Sequence, residues 1–437
     1  MRAGRLAAGA GAPRSDRLDT LKDRAAALTR AKQYEEALAA YQAVLAQAPD
    51  DIGTLNECGG INARLGRPQA ALAFYERALD HAPKSATLLI NKGTALCALT
   101  RYHEALASFC AAIIIEPDRA EAHYNAGLVR LRLGDFENGW RDYEWRWRKA
   151  DWADKRRNFT APLWLGAEPI EGKTILLHAE QGLGDTIQFV RYVPLVARRG
   201  ATVIVECQTE LKNLLCDIPG AARLIARGEV LPAFDLHCPL LSLPLAFAGP
   251  STLSASVPYL RPLAERTAKW RDRLPANGRL RVGVCWAGSG AHLNDGNRSI
   301  PLARFAVLFA VSGVDFVNLQ KEVSAPDAAI LHKHGVIQLG QEFADFADTA
   351  AVMAMLDLVI SVDTSVAHLA GAMAKATAVL LPFSPDFRWM LDRTDSPWYP
   401  TMRLFRQASI GDWCGPLDRL SGELAAVASR RQPTTSC

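Results

Sequence analysis

Apolar positions in the first third of the chain recur at helical spacing, in blocks that repeat every 34 residues. Pro49, Pro83 and Pro117 mark the period; Ala37, Ala71 and Ala105, continued by Gly139, keep it in a second register. Tyr41, Tyr75, Phe109 and Tyr143 form a third, and Gly59, Gly93 and Gly127 a fourth. The pattern predicts about three and a half helical hairpins between residues 18 and 149. Small residues stand where the two helices of a hairpin approach, an aromatic ring packs onto the next hairpin, and proline ends each second helix. From Lys173 the texture changes to short apolar runs, TILLHA, ATVIVE and FDLHC, separated by helical segments. Such alternation predicts a parallel sheet with crossover helices. A proline-rich connection follows (Pro244, Pro250, Pro258, Pro262), with a helix near 266–274, and the alternation restarts with LRVGVCW, DFVNLQ, GVIQLG, DLVISV and TAVLLP. Two doubly wound domains in tandem leave a cleft at the carboxyl ends of their strands, where open α/β sheets place ligands.

The 34-residue period is that of tetratricopeptide repeats, which stack into a concave surface that holds a peptide or another protein. Asn91 and Asn125 fall at matching positions on the groove-facing helices, either as partner contacts or as solvated helix surface. The expected organisation is α followed by α/β: a disordered leader (1–17), the repeats (18–150), a linker (151–172), a first Rossmann-like domain (173–265) and a second (266–437). At 437 residues, 49% hydrophobic and 22% charged, the chain is large enough for several cores and too apolar for disorder. A net charge of +4 is too small over this length to mark a general nucleic-acid or membrane binder. Nine cysteines without a CxxC spacing argue against a disulfide framework or zinc ribbon, and no apolar run is long enough to span a bilayer, so a cytoplasmic protein is expected.

The segment after the first predicted strand is Glu180-Gln-Gly-Leu-Gly-Asp185. Gly182 and Gly184 suit a tight turn that approaches a ligand, and Asp185 stands at the start of a helix, as a functional carboxylate or as part of a capping box. The third glycine of the dinucleotide fingerprint is missing, which makes NAD a poor fit. In the second α/β half, DLVISV leads into Asp363, Thr364 and Ser365, whose hydroxyls and free amides at a helix start suit a phosphate, with His368 one turn further on. His368 is equally readable as a satisfied buried histidine. Arg298 and Lys321, each just after a strand, supply the cations a departing diphosphate needs. His332 and His334 lack carboxylate or cysteine partners and read as surface residues, so no metal site is expected. The run WRDYEWRWRKADW is rich in aromatics and arginine; it fits a capping helix whose indoles pack on the following domain better than a stacking platform for bases.

The segments HAEQGLGDTIQFVRYVPL, VGVCWAGSGAHLNDGNRSIPL, LQKE, LDLVISVDTSVAHLAGAM and DSPWYPTMRLFRQ resemble bacterial tetratricopeptide-linked glycosyltransferases. The α/β half is similar to the heptosyltransferase (glycosyltransferase family 9) group, and the layout more distantly resembles protein O-GlcNAc transferase. The resemblance implies a GT-B fold with the acceptor in the first domain and the nucleotide sugar in the second. It implies Asp185 as the general base and Asp363, Thr364, Ser365 and His368 as the donor-binding turn. The family's lysine after a Ser-Trp region has no match at Trp286, which leaves Arg298 or Lys321 as substitutes. An inverting, metal-independent transfer follows, with no cofactor beyond the sugar nucleotide. The acceptor is a protein or peptide held by the repeats or, alternatively, a lipopolysaccharide or other glycan. A third reading is a non-catalytic scaffold.

Overall fold

The computed structural model describes residues 14–247, 257–290 and 294–431. Residues 1–13 of the expected leader, Pro250, residues 291–293 and Cys437 lie outside them. Eight helices come first: α1 (Arg14–Arg30), α2 (Tyr34–Leu45), α3 (Ile52–Arg64), α4 (Pro68–His81), α5 (Ala86–Ala98), α6 (Tyr102–Ile115), α7 (Ala120–Leu133) and α8 (Phe136–Tyr143). Residues 14–17 of the expected leader belong to α1, because the helical pattern of the first hairpin extends through them. The chain divides into two compact units, Met1–Arg130 with Trp145–Lys149, and Leu131–Glu144 with Ala150–Cys437.

In the repeat unit two helix starts are capped locally. Asp51 accepts from Thr54 N at 2.8 Å and Ser85 from Leu88 N at 3.4 Å, capping amides that α3 and α5 cannot satisfy internally. Pro49, Pro83 and Pro117 follow α2, α4 and α6, as the period predicts. The glycine and aromatic registers turn out to be one device. A Cβ on Gly59 would lie 2.4 Å from the Tyr75 ring, and one on Gly93 2.5 Å from the Phe109 ring. The ring therefore packs on the glycine of its own hairpin, α3 against α4 and α5 against α6, rather than on the next hairpin as expected. Only a residue without Cβ lets the two backbones come this close.

The second unit holds two parallel sheets. β1 (Thr174–His178), β2 (Thr202–Cys207), β3 (Ala221–Ala226) and β4 (Leu236–Pro239) form the first, in the order β3-β2-β1-β4. β5 (Leu280–Cys285), β6 (Val314–Asn318), β7 (Ile337–Gln338), β8 (Leu358–Val362), β9 (Thr377–Leu381) and β10 (Met402–Arg406) form the second, in the order β10-β9-β8-β5-β6-β7. Every expected strand is present. The two that the apolar runs did not predict, β3 and β10, are edge strands that each carry an exposed arginine (Arg223, Arg403), so neither reads as a continuous apolar run. The central strands are buried along their length, and the second sheet is closed by Trp286, Phe305, Phe316 and Trp413 among others.

The segment expected as a linker is part of the α/β unit. Trp164 is fully buried, its amide donates to the His237 carbonyl at 2.8 Å, and the His237 amide donates back to Pro162 at 3.1 Å. Pairing with β4 satisfies its backbone, so the prolines there end one structure and begin another without freeing the chain. Helix α8 also belongs to this unit. Trp140 lies 5.9 Å from the Phe189 ring and 5.6 Å from Phe387, both edge-on.

Candidate active site

In the second sheet the chain runs outward from β5 to β7 on one side and from β8 to β10 on the other, so the loops after β5 and β8 diverge at the strand ends. That divergence is where open α/β sheets form ligand crevices. After β5, the Ala287 amide donates to Gln320 Oε1 at 3.0 Å and the Gly288 amide to Ser299 Oγ at 2.9 Å. After β8 come Asp363 and Thr364, then the helix Ser365–Ala372. Arg298 spans both loops. Its Nη1 donates to the Asp363 carbonyl at 3.0 Å, its Nε to Asp295 at 3.2 Å, and its Nη2 would lie 2.4 Å from a Cβ on Gly288.

Two of the expected phosphate-binding groups are differently placed. The Thr364 hydroxyl is turned into the sheet, 3.1 Å from Ser361 Oγ and 3.8 Å from Cys285 Sγ. Ser365, half-buried at the first helical position, keeps its hydroxyl free of hydrogen bonds among the described residues, beside helix amides that have no internal partner. Lys321 is exposed, and among the described residues its ammonium meets only the Ala344 carbonyl, at 3.5 Å. Its neighbour Gln320, two residues beyond β6, is the one that contacts the crevice loop.

His368 is a structural residue in this geometry. Its Nδ1 is 3.0 Å from the Tyr399 hydroxyl, its Nε2 is 4.0 Å from Asp363 Oδ1, and its ring stacks on Trp389 at 5.6 Å. Burial, reinforced by Arg388, pushes its pKa down to about 3, so the imidazole is neutral and offers a phosphate no charge. Burial, then the nearby Asp386 carboxylate, pushes Asp363 up to about 6 against the opposing effects of Trp389, Arg388 and Arg298. Asp386 itself is held low, since Arg388 and its backbone amide outweigh the effect of burial.

Helix α9 (Leu183–Phe189) carries the glycine motif of the first sheet. Gly182 has ordinary extended dihedrals (φ −72°, ψ 169°), so the turn does not require glycine there. Gly184 is required, but for packing: a Cβ would lie 2.8 Å from His368 Cδ2, where α9 lies against the helix Ser365–Ala372. In this geometry Gly184 serves a helix–helix contact, while a Cβ on Gly182 would meet only Asp185 Oδ2, at 3.2 Å. Asp185 closes the capping arrangement, its Oδ2 accepting from the Gly182 amide at 2.8 Å. Its Oδ1 accepts from Arg388 Nη2. Arg388 also donates from Nε to Gln188 Oε1 at 2.6 Å and from Nη1 to Asp386 Oδ1 at 2.8 Å. No sequence motif marks Arg388; it sits in the short 3-10 helix Phe387–Trp389 after β9, 203 residues from Asp185.

The structure therefore brings Asp185, Gly184, Asp363 and His368 into one cluster, adds Arg388, Asp386 and Gln188 to it, and leaves Lys321 outside. In the repeat unit, Asn91 donates to Asn56 Oδ1 at 2.8 Å beside a hollow of about 210 Å³ lined also by Glu57, Arg64 and Tyr75. Asn125 is half-buried on α7 and does not line it. The aromatic run is spent on packing: Trp145 stacks on His123 at 3.8 Å with the Arg148 guanidinium 4.2 Å from its ring. Among the described residues no three His, Cys, Asp or Glu side chains lie together as a metal ion would need, and no helix is long and apolar enough to cross a membrane.

Tetratricopeptide-repeat families match residues 24–90 and 90–154. Protein FlbA of Caulobacter vibrioides is 26% identical over 353 residues, which are 73% of this chain. The chain spans 58% of that relative's length. A glycosyl transferase family 9 structure from Veillonella parvula is similar over 60% of this chain and 99% of its own, at 11% identity and a TM-score of 0.46. A thermophilic tetratricopeptide protein from Thermus thermophilus aligns with 31% of this chain and 75% of its own, at 20% identity and a TM-score of 0.29. The N-terminal helices are tetratricopeptide repeats, and they precede an α/β unit of two parallel sheets.

Proposed function

We propose that the α/β unit is an inverting, metal-independent glycosyltransferase that moves a sugar from a nucleoside-diphosphate donor to a hydroxyl acceptor, a protein or peptide recruited by the repeats. The observation that carries the reading is Arg298. It is pinned across the two diverging loops of the second sheet, beside the free Ser365 hydroxyl and the helix amides, where an arginine and a helix start together suit a diphosphate. The motif resemblance points the same way.

In the proposed step the acceptor oxygen forms a bond to the anomeric carbon as the bond from that carbon to the diphosphate oxygen breaks. The acceptor's proton passes to Asp185, and the electron pair leaves with the diphosphate. Arg298, Ser365 and the helix amides stabilise that growing charge, which is usually the largest contribution to such catalysis. Asp185 supplies general-base assistance of roughly 10²–10⁴-fold.

Titration calorimetry with UDP, GDP, ADP and CMP tests the donor site. One nucleoside diphosphate binds with and without Mg²⁺, and Arg298→Ala weakens it about 10–100-fold, the loss expected for a charge-assisted hydrogen bond. Lack of binding to all four by the folded protein removes the proposal. A second reading, a scaffold without catalysis, is favoured by one observation: Gly184 and His368 are spent on packing, and both oxygens of Asp185 are already hydrogen-bonded. Asp185→Asn separates the two, since it abolishes turnover in a transferase and changes no function of a scaffold.

A further inference from the structure

We propose that Arg388 is the positioning residue of the active site: it holds the Asp185 carboxylate of the first sheet's helix in working orientation against the donor-binding sheet. The inference rests on the glycosyltransferase reading and names a residue that neither the motifs nor the resemblance supplies.

The geometry is that of a clamp. All three donor-bearing nitrogens of the guanidinium are engaged: Nη2 with Asp185, Nε with Gln188 Oε1 at 2.6 Å and Nη1 with Asp386 Oδ1 at 2.8 Å. Asp185 and Gln188 lie one turn apart on α9, so two prongs of the planar fork grip one helix face, while the third is tied to the residue two places before Arg388 in its own loop. The loop is itself fixed, because Asp386 also accepts from the Arg388 amide at 3.0 Å. The Arg388 side chain is only 8% exposed, and its guanidinium lies 4.4 Å from the Phe387 ring centre and 5.7 Å from that of Phe189. Burial alone would lower its pKa, yet Asp386 and then Asp185 more than offset this and push it above the ordinary arginine value, so it remains a cation.

A carboxylate in water rotates freely and points its lone pairs anywhere. Here one Asp185 oxygen is fixed by the Gly182 amide and the other by Arg388, which sets the plane of the carboxylate and leaves each oxygen one further acceptor direction. The side chain is 20% exposed, and an incoming hydroxyl has to reach it along one of those directions. A base held this way needs no reorientation when the hydroxyl arrives, and misplacement by about 1 Å costs on the order of 10²-fold in rate. Arg388 thereby links a base on one sheet to a donor site on the other. Lysine replaces it only in part, because a single ammonium keeps the charge but cannot reach three acceptors in one plane.

The test is steady-state hydrolysis of UDP-glucose, GDP-mannose and ADP-glucose by the full chain, with water as acceptor, in Asp185→Asn, Arg388→Gln, Arg388→Lys and the Asp185→Asn/Arg388→Gln pair. Circular dichroism checks that each is folded. The expected result is a loss in kcat of about 10²-fold for Arg388→Gln with donor KM changed less than about threefold, partial recovery in Arg388→Lys, and a double variant no slower than Asp185→Asn alone. If Asp185→Asn is slow while Arg388→Gln keeps the wild-type kcat, the positioning role is overturned and the transferase reading stands. An Asp185→Asn variant as active as wild type overturns the base assignment and the positioning role together. Turnover of none of the three donors removes the reaction and the inference with it. Should Arg388→Gln not fold, Gln188→Ala, which removes only the Nε partner, carries the test: a kcat loss of about tenfold is expected and an unchanged kcat overturns the inference.

Discussion

The repeat unit and the α/β unit bury their polar and apolar surface by contrasting means. In the repeats the decisive pairs are near in sequence and recur with the period: Gly59 with the Tyr75 ring, Gly93 with the Phe109 ring, Asp51 with its own helix. In the α/β unit they come from far apart. Arg388 reaches Asp185 across 203 residues, and Arg191 reaches the Trp398 carbonyl at 3.1 Å across 207. A periodic contact depends on local geometry and costs little loop-closure entropy, so it is written into the spacing. A long-range contact depends on how two sheets meet, and its residues carry no mark in the chain.

The contrast yields four predictions, from the largest effect downward. Asp348 is fully buried and accepts from Trp270 Nε1 at 2.9 Å, the Ala344 amide at 3.0 Å, Arg266 at 3.2 Å and Lys269 at 3.5 Å, so Asp348→Ala leaves the Trp270 N–H and the Ala344 amide without a partner and costs about 2–5 kcal/mol. Calorimetry should show the α/β transition lowered; an unmoved transition would mean that long-range buried charge does not hold this unit together. Gly59→Ala drives a methyl into the buried Tyr75 ring and costs about 1–3 kcal/mol, part of which Tyr75→Leu should restore. A neutral Gly59→Ala would show that the glycine register is not the packing device described.

The third prediction concerns acid. His368 is held at about 3 from an ordinary 6.5, so between those values the unfolded chain binds the extra proton and stability falls as pH falls. Asp363 is held at about 6 from an ordinary 3.8, so there the folded chain binds the extra proton and stability rises as pH falls. The two nearly cancel between pH 6 and 4. Asp363→Asn removes the compensation, and urea unfolding should then lose stability by roughly 1.4 kcal/mol more per pH unit over that window than wild type does. Parallel curves for the two proteins would refute the opposed pair. The smallest effect is expected at Arg67, whose bidentate pair with Glu35 is about half-exposed: Arg67→Ala should cost less than about 1 kcal/mol in thermal unfolding, and a larger loss would give surface pairs a weight that the repeats do not otherwise show.

Much of the architecture was legible along the chain. Proline, glycine and aromatic spacing located the hairpins, and apolar runs located eight strands; β3 and β10 escaped because an exposed arginine interrupts the apolar run in each. The site was legible only as far as backbone turns reveal it. Asp363, Thr364 and Ser365 stand out because a strand ends and a helix begins there, and Asp185 because a glycine pair precedes it. What each side chain does was settled elsewhere: Thr364 turned inward to Ser361, Lys321 outward to Ala344, and Gly184 pressed against His368.

The amino-acid sequence by itself determined the repeat period, the two sheets and the turns at their strand ends, because each follows from the short-range preferences of a few neighbouring residues. Only the tertiary structure decided which of those residues meet. Asp185 acquires Arg388, Gln188 and Asp386 as neighbours because α9 packs against the helix Ser365–Ala372 with no Cβ between them, a contact set by the joint fit of two sheets.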